Sequence, residues 1–310
     1  MSRRSLTAAL AVAALAALSL AGCSATPSTS SASTSSGGTV INVAASINAW
    51  GSILSELGGS HVKETSIITN PNTDPHAYEP TPADGRTIAQ SQLFVENGIG
   101  YDPWAAQALA ANPSSSRTIV DVGTVTGIPD GGNPHQWYSP TNVSKIADTI
   151  TAALKKIDPS SASYFDAQRA AFDTKVLAGY HQVINDIKTK YAGTPVGASE
   201  SIFAPMATAL GLNLLTPPSF LKDISEGTDP SPADLSTINA QISGKQIKVY
   251  VFNSQNSTPD VSAQVTAAKA NGIPVTAVTE TLSPANSTFQ AWQTAQLKSL
   301  EAALAKATGK

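Results

Sequence analysis

A chain of 310 residues, 41% of them hydrophobic, can bury more than one core, and its size suits about two domains of ~100–150 residues. With charged residues at only 13% and a net charge of −3, the composition excludes disorder. The absence of a basic cluster leaves no phosphate-binding footprint, so nucleic acid is excluded as a partner.

In chain order, Arg3 and Arg4 precede an apolar run from Ala8 to Leu20 that is too short for a permanent membrane helix and reads as a processing signal. The run ends at Leu20-Ala21-Gly22-Cys23, which resembles a bacterial lipoprotein box with Cys23 as the lipidated first residue of the mature chain. Cys23 is the only cysteine, so a disulfide is excluded and an inward-facing metal site cannot use thiolate. Removal of residues 1–22 deletes two arginines and no acids, leaving 17 basic against 22 acidic residues. Residues 23–38 then read as the lipidated cysteine followed by a flexible Ser/Thr/Ala/Gly tether.

From Thr39 short β-rich runs alternate with amphipathic stretches, which predicts an α/β fold with parallel sheets. Strands are expected at Val40 to Ala44, Val62 to Ile68, Leu93 to Asn97 and Thr118 to Val120, and helices at Trp50 to Leu57 and Asp102 to Ala111. Thr81-Pro82-Ala83-Asp84 and Ser139-Pro140 are cap-then-proline helix starts. Val143, Ile146, Ala147, Ile150 and Leu154 form the apolar stripe of the second of these helices. After Asp158-Pro159, a helical pattern without internal proline runs to Tyr191, about 45 Å at ~1.5 Å per residue, and suggests a strut between two lobes. The second half repeats the alternation: strands at Thr194 to Ala198, Leu212 to Leu215, Lys248 to Asn253 and Val275 to Val278, and helices at Ile202 to Leu210, after Ser231-Pro232, at Pro259 to Ala270 and at Ser287 to Ala307. The expected organisation is an N-terminal α/β lobe at 39–157, a linking helix at 158–191 and a C-terminal α/β lobe at 192–310.

The most specific stretch is Asn70 to Pro82, whose prolines at 71, 75, 80 and 82 restrict the backbone and present a single imidazole, His76, on a loop with little freedom to lose. Ligands collect beyond the carboxyl ends of parallel strands. Three other metal-capable residues fall in such places: His135 before the helix begun at Ser139, Glu200 after the strand ending near Ala198, and Glu280 after the strand ending near Val278. Two imidazoles and two carboxylates neutralise a divalent cation, and a set made wholly of protein donors suits holding an ion rather than reacting with it. Asp74 and Glu79 flank His76 and either orient its ring or cap the loop. Trp137, Tyr138 and Phe203 read as wall or core residues, His61 as exposed or structural, and His181 as a packed or exposed helix residue.

The segments Asn70 to Pro82, Asn133-Pro134-His135-Gln136-Trp137-Tyr138 and Val278-Thr279-Glu280 resemble the metal-binding lipoprotein family of zinc and manganese ABC importers, over essentially all of Thr39 to Lys310. The resemblance implies two lobes joined by one long helix and a metal bound through His76, His135, Glu200 and Glu280. Family members commonly carry aspartate at the fourth position, where this chain has Glu280, and many zinc-specific members carry a His/Asp-rich loop that this sequence lacks. The implied ligand is one Mn2+ or Zn2+, with Fe2+ also suited to two carboxylates. The implied partner is an ABC permease with its cytoplasmic ATPase, reached by a monomer anchored through Cys23 to the outer face of the bacterial cytoplasmic membrane. Two other readings are a secreted metallohydrolase, for which the sequence offers no HExxH or other helix-borne zinc motif, and a surface adhesin with a structural metal.

Overall fold

A computed structural model describes residues 40–73, 75 and 77–310. The expected signal peptide, Cys23 and the tether lie outside the described residues, as do Asp74 and His76. Among the described residues, no helix is long and apolar enough to cross a membrane.

The first half builds β1 (Ile41–Ile47), α1 (Asn48–Gly58), β2 (Val62–Ile68), α2 (Pro82–Gln90), β3 (Leu93–Glu96), α3 (Pro103–Ala111), β4 (Thr118–Asp121), α4 (Val122–Thr126) and α5 (Pro140–Ile157). Its four strands pair in parallel in the order β2-β1-β3-β4. Central β1 is buried at every position but Asn42, as a parallel strand covered by helices on both faces must be. The second half builds β5 (Pro195–Ala198), α8 (Ala204–Ala209), β6 (Asn213–Leu214), α9 (Pro218–Ser225), α10 (Pro232–Ser243), β7 (Val249–Asn253), α11 (Pro259–Ala270), β8 (Val275–Val278) and α12 (Phe289–Thr308). Its order, β6-β5-β7-β8, reproduces that of the first sheet and is again wholly parallel. The α/β architecture of two parallel sheets flanked by helices is therefore present as expected.

Helices start where side chains satisfy their first free N–H groups. Thr81, Ser139, Ser231, Thr258 and Thr288 each accept a bond from the backbone N–H three residues on, and proline occupies the first turn after four of them. Thr81 and Asp84 complete a reciprocal capping box.

The connecting run is helical from α6 (Ala162–Ala171) through a π turn at Phe172–Val176 to α7 (Ala178–Tyr191). In the π turn Leu177 N donates to Phe172 O at 2.9 Å, a five-residue step. The extra residue shifts the apolar face, so Leu177 is buried where unbroken spacing predicts Val176. Tyr180, Val183 and Ile187 continue the buried stripe.

One hydrophobic core runs from Ile41 and Trp50 through Phe172 and Tyr180 to Trp292 and Leu304, crossing from one sheet to the other. A smaller core under α9, α10 and α11 gathers Phe220, Ile238, Ile242, Tyr250 and Val261. At the junction, Leu282 N donates to Asn48 Oδ1 at 3.1 Å and Phe289 N to Ser52 Oγ at 2.8 Å.

Candidate metal centre

Two metal-capable side chains follow strand ends of the second sheet, and a third comes from a loop of the first half. Chain continuity puts Glu200 two residues past β5 and Glu280 two residues past β8, while His135 follows the Gly131-Gly132 turn after β4 and α4. His135, Glu200 and Glu280 come together with one ligand atom each inside 4.8 Å of the others, and all three are buried. His135 Nε2 and Glu200 Oε1 stand 3.6 Å apart. The structure thus joins three of the four expected ligands; the fourth, His76, lies outside the described residues.

Each of the three is held by groups that the sequence pattern did not single out. Asn133 Oδ1 lies 2.9 Å from His135 Nδ1 and accepts the His135 backbone N–H at 3.0 Å. Because Asn133 Nδ2 donates to Ser201 O at 2.7 Å, its amide orientation is fixed and its oxygen faces the ring. Tyr101 donates its hydroxyl to Glu280 Oε2 at 2.8 Å. Asn253 Nδ2 donates to Glu200 Oε2 and to Glu280 Oε1, both at 2.9 Å. The Gln255 side-chain oxygen accepts the Glu280 and Thr281 N–H groups at 2.7 and 3.1 Å and so pins the loop after β8. The available signal for Asn253 was its place: a polar residue closing the apolar run Val249 to Phe252 at the carboxyl end of a parallel strand.

Burial sets the electrostatics. Desolvation, with the nearby Glu280 carboxylate, drives the Tyr101 hydroxyl well above its ordinary range, so it stays a donor. Burial also raises Asp102, against the bonds it accepts from Asn97 N and Gly98 N, both at 2.8 Å. Those bonds shape the loop after β3 that carries Tyr101. Gly98 within it has φ +64°, and a Cβ there would come within 2.2 Å of Asp121 Oδ2.

Aromatic rings wall the site. Trp137 is fully buried, with ring centroids 5.3 Å from His135, 5.1 Å from Tyr101 and 6.2 Å from Trp50, all near edge-on. Tyr138 donates to Thr279 O at 2.8 Å, tying the helix-start loop of one half to the Glu280 loop of the other. Phe203 is buried in the same core. His61 stacks on Tyr164 at 4.2 Å and stands 3.7 Å from Asp158 Oδ2, a structural role away from the centre. His181 packs beside Tyr180 on α7. Glu79 is exposed, and the anchor of its loop is instead Tyr78, which donates to Asp84 Oδ2 at 2.7 Å and packs against Trp104 at 5.1 Å.

The chain is similar to the manganese-binding lipoprotein MntA of Halalkalibacterium halodurans, at 30% identity over 139 residues covering 44% of this chain and 46% of the relative. It is also similar to the high-affinity zinc uptake system protein ZnuA of Bacillus subtilis, at 23% identity over 212 residues covering 61% and 63%. The matches span less than two thirds of either relative's length. Its fold resembles a solved periplasmic metal binding protein from candidatus Liberibacter asiaticus, with a TM-score of 0.70 and 21% identity over 85% of this chain and 99% of the other. The profile of the ZnuA family, described as zinc-uptake complex component A, periplasmic, matches residues 43–303, and the chain belongs to that family.

Proposed function

We propose that this protein captures one Mn2+ or Zn2+ ion outside the membrane, through His76, His135, Glu200 and Glu280, and delivers it to an ABC permease for import. The observation that carries this reading is the buried convergence of His135, Glu200 and Glu280, with donor atoms inside 4.8 Å. Two imidazoles and two carboxylates leave the filled site neutral, so an ion can be buried there without an uncompensated charge. Both glutamates accept bonds from neutral donors, which support their ionised, metal-binding form. The names of the relatives support metal capture for uptake, one being a manganese-binding lipoprotein and the other a zinc uptake system protein.

The domain boundaries proposed from sequence, lobes at 39–157 and 192–310 about a linker at 158–191, fit the two repeated sheet orders. Export and attachment through a lipidated Cys23, a monomeric state, and a role as carrier rather than enzyme complete the proposal. A carrier exchanges its ion reversibly and keeps its fold when stripped, whereas a structural metal takes the fold with it. The test is calorimetric titration of His76→Ala with zinc and with manganese. The variant is expected to lose tight binding of one equivalent while retaining a cooperative melt; unchanged stoichiometry and affinity would remove His76 from the site.

A further inference from the structure

Asn253 closes β7, is fully buried, and shares one amide between the two glutamates. It is held from its other side as well: Oδ1 accepts the Gln255 N–H at 3.0 Å, and its own N–H donates to Ser199 Oγ at 3.0 Å. The amide therefore has one orientation, with both hydrogens spent on carboxylates. We infer that Asn253 sets the ion preference of the site: by tying one oxygen of Glu200 to one oxygen of Glu280 it restricts each to single-oxygen ligation, which favours zinc over manganese. The inference rests on the reading of His76, His135, Glu200 and Glu280 as ligands of one ion.

The reason lies in coordination number. Zinc takes four ligands tetrahedrally at about 2.0–2.2 Å, which separates neighbouring donor atoms by about 3.4 Å. The His135 Nε2 to Glu200 Oε1 separation of 3.6 Å is close to that edge. Manganese suits an octahedral, oxygen-rich shell. With only two carboxylates, the protein approaches such a shell by chelating through both oxygens of each. Chelation by Glu200 would set the cation on Oε2, and chelation by Glu280 would set it on Oε1, the two atoms that already face the positive end of the Asn253 amide. The same amide hydrogens that fix the carboxylates repel a cation approaching those atoms. Tyr101 holds the remaining Glu280 oxygen, so the carboxylate cannot turn freely to compensate.

The experiment compares wild type with Asn253→Ala and Asn253→Leu in competitive titrations of zinc against manganese. The leucine variant keeps the side-chain size and adds no charge, but removes both donor hydrogens. Both variants are expected to lose about tenfold of the zinc-over-manganese preference, in line with the cost of removing a group that orients metal ligands. An unchanged ratio, including equal weakening of both ions, overturns the inference, because a purely structural role moves the two affinities together. The crystal structure of manganese-loaded wild type decides without any variant. Single-oxygen ligation by both glutamates with the Asn253 bonds intact supports the inference, and chelation by either overturns it. A wild type that binds neither ion defeats the ligand assignment itself, whereas wild-type binding with an unmoved ratio defeats only the role given to Asn253.

Discussion

Asn133 Oδ1 faces His135 Nδ1 at 2.9 Å, and this contact decides which nitrogen of the ring is left to meet an ion in the proposed site. An amide oxygen only accepts, so Nδ1 carries the proton and the neutral ring turns the lone pair of Nε2 toward Glu200. Asn133→Ala is therefore expected to weaken metal binding by about 10- to 100-fold, the usual effect of removing a group that orients a ligating histidine. Calorimetry on the variant checks this, with a thermal melt to show that the fold is kept. Equal affinity in variant and wild type would mean that the ring needs no such support.

The loop that carries His76 is fastened at its far end by Asp84. Its Oδ2 accepts from Thr81 N at 2.6 Å, Thr81 Oγ1 at 2.7 Å and Tyr78 Oη at 2.7 Å. Burial acts to raise the Asp84 pKa, but these bonds outweigh it and hold the carboxyl below its usual value. The Tyr78 hydroxyl is pushed up to about 12 by burial and by the same carboxylate. Asp84→Ala removes half of the capping box and is expected to cost about 1 kcal/mol of stability. A lower metal affinity is expected with it, because the loop gains freedom that binding must remove. Urea unfolding and calorimetry read the two effects separately.

Glu96, which is not among the proposed ligands, gives a pH signature of its own. Burial, then the charges of Asp102 and Asp121, raise its pKa from 4.5 to about 7. A raised acid binds its proton in the folded state while the unfolded chain has already released it. Its contribution to stability is therefore complete below about 4.5 and is lost as pH rises through about 7. Glu96→Gln, which cannot ionise, is expected to leave the melting temperature of metal-free protein little changed at pH 4.5 and to raise it at pH 8. A pH-independent difference would show that Glu96 titrates normally.

Trp137 is the ring on which His135 and Tyr101 both lean. Trp137→Ala should cost about 3–5 kcal/mol, as for other buried tryptophans cut to alanine, and should weaken metal binding as well. Trp137→Phe keeps most of the wall and also removes an indole N–H that has no hydrogen-bond partner among the described residues, so its cost should be smaller. Denaturant unfolding of the two variants gives the comparison.

What could be read from sequence was local or periodic. The helix starts at Thr81, Ser139 and Ser231 were visible because a capping side chain and the proline after it act over three or four residues. Strands β2 and β8 and helix α11 fall at the expected residues because their apolar runs are bounded by turn signals. Helix α9 was not anticipated: its N-cap position is Pro217, which gives no side-chain cap to mark the start. The π turn was equally hidden, since Phe172 and Val176 keep helical spacing and only the Leu177 to Phe172 hydrogen bond shows the added residue. His135, Glu200 and Glu280 could be picked out because few residue types bind metals and all three sit beside strand ends or helix starts. Asn253, Asn133 and Tyr101 could not, because their roles depend on partners 27 to 179 residues away for Asn253 and Tyr101, and on one rotamer for Asn133.

The most direct test of the metal centre is elemental analysis and calorimetric titration of wild type beside Glu200→Gln, a change that keeps the shape of the side chain and removes its charge. The account predicts one tightly bound divalent transition-metal ion per wild-type chain. It predicts a large loss of affinity in Glu200→Gln, and a cooperative melt in both proteins after chelation, with metal at 100 times its Kd adding about 2.7 kcal/mol to the wild type. Wild type that takes up no ion, or Glu200→Gln that binds one equivalent as tightly as wild type, would contradict it.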